Sequence, residues 1–191
     1  MANRAVVRKG IERLDQKGFA DNECQVCELT TSTVLGFGDL VSLSGATSTD
    51  ARYPVVARTA ASAVYYGIFA GQVENTHESI PGYYSGTGVK YGLVYPIKTT
   101  DILVAQEDGD GGFLSAASTG LVIDIATVTD ASATTGRSNT VLDSSTAVNN
   151  AARGFLILGL ANETDNVVGD VYTRWKLRPI ELQVNQSFDG E

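Results

Sequence analysis

From Leu35 onward the chain is written in short runs with an apolar residue at about every second position, each run closed by Gly, Asp, Ser, Thr or Asn. This rhythm limits the fold more than any other feature. A strand turns successive side chains to opposite faces, so a period of two predicts half-buried strands, and frequent turn residues predict that they are short. Runs of this kind fall at 40–43, 52–58, 64–74, 89–95, 102–106 and 121–126, with Pro54 marking an edge or a strand start and Gly67 and Gly71 marking bulges. Phe155–Leu160 is apolar on both faces and predicts a central, doubly covered strand. The expected class is mainly β, a compact antiparallel barrel or sandwich.

The last run is the most legible. Between Val171 and Pro179, Thr173, Trp175 and Leu177 share one face, while Tyr172, Arg174, Lys176 and Arg178 share the other. One face is core; the other is a row of bases, which either pair with the chain's own acidic turns or meet an acidic partner. After Pro179 the apolar residues Ile180, Leu182 and Val184 take the opposite parity, which predicts a bulge or a strand switch there.

The first 33 residues read differently and are expected to form an arm, with residues 34–191 as the β-rich domain. Val7, Ile11 and Leu14 are spaced i, i+4, i+7 with charges between them, and Gly18 supplies a stop, so residues 4–17 predict a short amphipathic helix. With Gly10 in its middle such a helix is marginal alone and needs a docking surface.

Charge separates the same two parts. The formal net charge is -8, yet residues 1–20 hold five bases (Arg4, Arg8, Lys9, Arg13, Lys17) against Glu12 and Asp15, which leaves -11 on the rest. Phosphate-backbone affinity comes from clustered Lys and Arg, so an acidic body disfavours nucleic acid as a partner. A basic arm and a basic row suit acidic protein surfaces. Arg4, Arg8, Lys9 and Arg13 of the arm, with Arg174, Lys176 and Arg178 of the last strand, are therefore the candidate contact residues. No apolar stretch reaches the ~18–20 residues of a membrane span, and no apolar core follows the basic N-terminus as in a secretory signal. The expectation is a cytoplasmic protein with no membrane partner.

Catalytic motifs are not found. His77 is the only histidine, and the chain contains no G-x-S-x-G, H-E-x-x-H, Walker A or helix-opening G-x-G-x-x-G pattern. No catalytic set, cofactor or enzyme activity is expected. Cys24 and Cys27 form a C-x-x-C, but with His77 they supply three of the four ligands a structural zinc needs, so two reduced thiols are the simpler reading. Glu107, Asp108 and Asp110 stand among glycines like fragments of a calcium loop, which makes Asp108 and Asp110 the candidates for a weakly held ion; the spacing lacks the full set and no metal centre is expected. Tyr83, Tyr84, Tyr91 and Tyr95 crowd one region and raise a second reading, a receptor- or carbohydrate-binding module of a head fibre or tail appendage.

Residues 106–145 carry the most specific wording: Gln106-Glu107-Asp108-Gly109-Asp110-Gly111-Gly112, then Thr135-Gly136-Arg137-Ser138 and Leu142-Asp143-Ser144-Ser145-Thr146. With Gly38-Asp39-Leu40-Val41 upstream, and Ile157–Leu160, Asp165–Gly169 and the strand through Trp175 downstream, the order resembles virion structural proteins of tailed bacteriophages, of the capsid decoration or cement type. The resemblance spans about residues 36–185; the arm and the C-x-x-C lie outside it. It implies a β-rich protein on the exterior of an icosahedral head, assembled in the host cytoplasm. Its partners would be the major capsid protein and neighbouring copies of itself, as dimers or trimers, with no catalytic residues to carry over. The 106–145 stretch itself is expected to be an exposed excursion between two core strands.

Overall fold

The computed structural model describes residues 10–13, 23–31, 33–49, 51–61, 63–73, 82–88, 90–109, 112–126, 129–149, 154–170 and 172–183. Five strands close into a barrel: β2 (Gln25–Leu29), β3 (Leu40–Leu43), β4 (Val55–Arg58), β5 (Gly67–Gln72) and β6 (Lys90–Pro96), in the order β2-β4-β3-β5-β6 with β6 returning to β2. β2 and β4 run parallel and every other barrel pair is antiparallel. Closure leaves no unpaired strand edge. The interior is filled by Cys27, Leu29, Leu35, Val41, Val56, Phe69, Tyr84 and Val94. The expected bulge at Gly71 is present, as a register shift against β6 between Phe69 and Gly71.

The other five strands form an open antiparallel sheet, β1-β7-β10-β9-β8, from β1 (Glu12–Arg13), β7 (Leu103–Gln106), β8 (Val122–Ile123), β9 (Phe155–Leu160) and β10 (Arg174–Pro179). β10 is the middle strand, and Trp175 and Leu177 face inward as expected. β9 lies inside the sheet, but its Leu156 and Leu158 are only half-buried, so it is not doubly covered. After Pro179 the chain switches partner: Ile180 N–H donates to Gly154, Leu182 bridges Tyr65, and the Gln183 side chain bonds both backbone groups of Leu43.

One large core joins the two halves. Leu40, Tyr65, Ile68 and Ile97 from the barrel side pack with Leu103, Phe155, Ile157, Trp175 and Leu177 of the sheet. Tyr65 stacks on Phe155 with centroids 4.9 Å apart and donates a 2.6 Å hydrogen bond to Asp124.

The N-terminal helix is not formed where the chain is described. Gly10 has φ +97°, outside the helical region, and Glu12–Arg13 pair antiparallel with Val104 and Leu103 of β7. Ile11, fully buried, belongs to the large core, and Gly10 and Ile11 donate to Thr140 and Gly38. Burial of Ile11 and edge pairing outweigh a three-residue helical stripe that has nothing to dock on. Residues 4–9 and 14–17 of the expected helix lie outside the described residues. Segment 1–33 supplies β1 to the sheet and β2 to the barrel.

The long Ser/Thr-rich segment is a strap, not an exposed excursion. Phe37 and Arg137 pair in parallel, Leu142 bridges both Glu107 and Ile125, and Ser144–Thr146 form a 3-10 turn capped by Asp143. Gly36 is required under it: a Cβ there would lie 2.5 Å from the Ala131 side chain and 2.7 Å from the Arg137 backbone. Buried Asp39 fastens the strap, accepting from the hydroxyls of Ser138 and Thr140 and from Gly36 N–H. Burial pushes its carboxyl above the usual range, opposed by those three donors and by Arg58.

Candidate functional site

The predicted contact residues divide into those the fold uses and those it leaves outside. Arg174 is used. Its side chain is only 7 % exposed, with Nη2 at 2.9 Å from Glu12 Oε2 and Nη1 at 2.6 Å from Glu163 Oε1, so it clamps edge strand β1 to the turn after β9. Glu12 also takes Arg137 at 3.0 Å. The expected row of three exposed bases is corrected to two: Lys176 is half-buried and Arg178 exposed on the outer face of β10. Strand alternation names the face of Arg174 correctly; it does not say that flanking carboxylates cover that end.

Arg13 is also engaged by the body, at 2.6 Å from Glu23 and with its guanidinium 4.8 Å from the Tyr95 ring centroid. Arg4, Arg8 and Lys9 lie outside the described residues.

The acidic turn is bonded into the structure through one oxygen of Glu107 and one of Asp108, while Glu107 Oε1 and Asp108 Oδ2 are buried without a hydrogen-bond partner among the described residues. Asp108 Oδ1 accepts from both the N–H and the hydroxyl of Ser144, at 3.1 and 2.8 Å. Glu107 is fully buried, accepts from Leu114 N–H at 2.8 Å, and has its carboxyl pushed up by burial. Asp110 lies outside the described residues, as does His77. No group of three or more His, Cys, Asp or Glu among the described residues is placed to hold a metal. Cys27 points into the barrel, where burial pushes its thiol up to about 12, far from the range of a ready ligand or nucleophile.

The tyrosine group does not make a platform. Tyr84 is fully buried and donates to Gly88 O; Tyr95 is buried and donates to Asp101 at 2.9 Å. Tyr83 and Tyr91 are half-buried, and Tyr91 meets Tyr53 edge to face. A sugar-stacking surface needs exposed ring faces, and two of the four rings are spent inside the body.

The feature that sequence reasoning missed is at the sheet end where β7 stops and β9 turns into β10. Val167 is 61 % exposed, Phe113 48 %, Val168 40 % and Tyr172 39 %. They are held there by polar contacts: Glu107 N–H donates to Thr173 O, Leu114 N–H to the Glu107 side chain, and the Thr173 hydroxyl to Val167 O at 2.7 Å. Asp108, Glu163, Asp165 and Asp170 lie in the segments that meet there, with Arg174 buried between Glu12 and Glu163 and Arg137 paired to Glu12 beside it. A signal was available: two adjacent valines inside Asp165-Asn166-Val167-Val168-Gly169 are the wrong composition for a solvated turn.

No protein-family model, curated protein or solved structure matches the chain.

Proposed function

We propose that this is a structural protein of a tailed-bacteriophage virion that binds the outer surface of the head and stabilises it by bridging subunits of the major capsid protein. The observation that carries this reading is where the polar chemistry is spent. Among the described residues each of the four buried carboxylates has at least one structural partner: Glu28 takes Ser48 and Thr49, Asp39 takes Ser138 and Thr140, Glu107 takes Leu114 on one oxygen, and Asp124 takes Tyr65. Outward on the sheet half stand Lys176 and Arg178 of β10 and the apolar residues of its end. That is the equipment of a surface that makes contacts. The ordered fragments between residues 36 and 185 that resemble decoration proteins point to the partner. Modest contacts of this kind, repeated over a lattice, add to firm attachment through effective concentration.

Co-sedimentation with empty phage heads tests the reading. Saturable binding that weakens with salt is expected, and Lys176→Glu with Arg178→Glu should lower occupancy several-fold, since rim charges act on encounter and register. Heads that bind neither the wild type nor the variant would remove the proposal.

A further inference from the structure

We propose that the sheet end bearing Phe113, Val167, Val168 and Tyr172 is a docking surface for residues 1–9 of a second copy of this chain. Isolated exposed apolar residues need no explanation, but four gathered at one end of a sheet, with acidic residues around them, have the composition of an interface. The occupant must then be apolar and basic. Residues 1–9 read Met-Ala-Asn-Arg-Ala-Val-Val-Arg-Lys, with Arg4, Arg8, Lys9 and no acid, and Val6-Val7 between the bases. Removing that +3 from the formal -8 leaves -11 on residues 10–191, so two bodies repel each other and arm-on-body contact is the arrangement that relieves the charge.

Direction supports this. β1 is antiparallel to β7, with Glu12 opposite Val104 and Arg13 opposite Leu103, so from Arg13 back to Gly10 the chain runs toward the end where β7 stops. The arm root and the docking end are therefore at the same end of the molecule. They are also different surfaces, which makes the contact head-to-tail: it closes into a ring or continues as a chain of copies. The inference concerns self-association and does not depend on attachment to a head.

Two variants of the full chain test it by analytical ultracentrifugation. Arg4→Glu/Arg8→Glu/Lys9→Glu spoils the arm, and Val167→Ser/Val168→Ser spoils the docking end. The wild type is expected to associate with rising concentration and to dissociate in high salt. Each variant alone should associate about tenfold more weakly or worse. An equimolar mixture should recover one 1:1 complex, because each variant retains the half the other lacks. A labelled peptide of residues 1–9 gives a readout that needs no variant: it should bind the wild type and compete its assembly apart. Four results would overturn the inference: a wild type that stays monomeric at every concentration, as an arm held on its own body would require; an assembly indifferent to the peptide; a mixture that forms no 1:1 complex; or docking-end variants that associate normally but lose head binding, which would assign that end to the shell.

Discussion

The barrel and the open sheet solve the same problem in opposite ways. The barrel hides every strand edge by closing on itself and fills its interior with eight side chains of its own. The sheet ends in two strands of two residues each, β1 and β8, and relies on the barrel for part of its core. Its loose ends are tied by polar devices, namely the Arg174 clamp, the Asp39 strap fastening and the Tyr65–Asp124 bond. A closed element is finished, whereas an open one has ends to present. The outward bases of β10 and the apolar cluster at its end sit on the sheet half, while the barrel side exposes Lys98, Tyr53, Val64 and Val73 singly.

The sharpest way to break this comparison is to excavate each core in turn. Trp175→Ala in the sheet and Phe69→Ala in the barrel should each cost about 3–5 kcal/mol. Because Leu40, Tyr65 and Ile68 carry barrel residues into the large core, both variants should shift one common denaturant transition without changing its slope. A second, separate transition in Trp175→Ala would mean that the halves fold independently.

Arg174→Met comes next. It leaves Glu163 without its base and Glu12 with Arg137 alone, and should cost about 1.5–3 kcal/mol, the range for hydrogen bonds to charged groups. Hydrogen exchange should rise at Glu12 and Arg13, since β1 is one of the two elements Arg174 grips, and barrel amides should be unaffected.

Asp39→Asn tests the strap and carries a pH signature. Asp39 and Glu107 both have folded-state carboxyls raised by burial. A raised carboxyl binds its proton more tightly folded than unfolded, so the stability it contributes is present below the unfolded value of about 4 and is lost as pH rises through the folded one. Wild-type stability should therefore fall from mildly acidic toward neutral pH. Asp39→Asn keeps an oxygen for Ser138 and Thr140, loses the acceptor for Gly36 N–H at a cost of about 1–3 kcal/mol, and should flatten that slope. An unchanged slope in urea titrations at several pH values would contradict the account. The smallest effect belongs to Arg137→Ala, whose exposed pair with Glu12 should be worth about 0.2–1 kcal/mol.

Much of this fold was legible in the chain, and the failures have physical causes. Strands from β3 onward announced themselves because β-branched runs and turn residues act locally, and the parity change at Pro179 foretold the switch from sheet to barrel. The helix failed because Val7, Ile11 and Leu14 fit a helical stripe on paper, while Ile11 is claimed by a core assembled from residues distant in sequence, from Leu40 to Leu177. Pairing of Gln25–Leu29 with two distant strands left no local mark either. For the candidate surface, alternation placed Lys176 and Arg178 outside correctly. It could not say which carboxylates enclose Arg174, nor that Glu107 ties the segment of Phe113 to Thr173, because both depend on which loops meet at one end of a sheet.

Lysine-directed cross-linking of the protein bound to empty heads tests the central claim most directly, because lysines report on both halves: Lys176 on the sheet, Lys90 and Lys98 on the barrel. Cross-links to the shell at Lys176, with Lys90 and Lys98 spared, are the predicted result. Cross-links concentrated at Lys90 and Lys98, with Lys176 unmodified, would place the contact on the closed barrel and contradict the account.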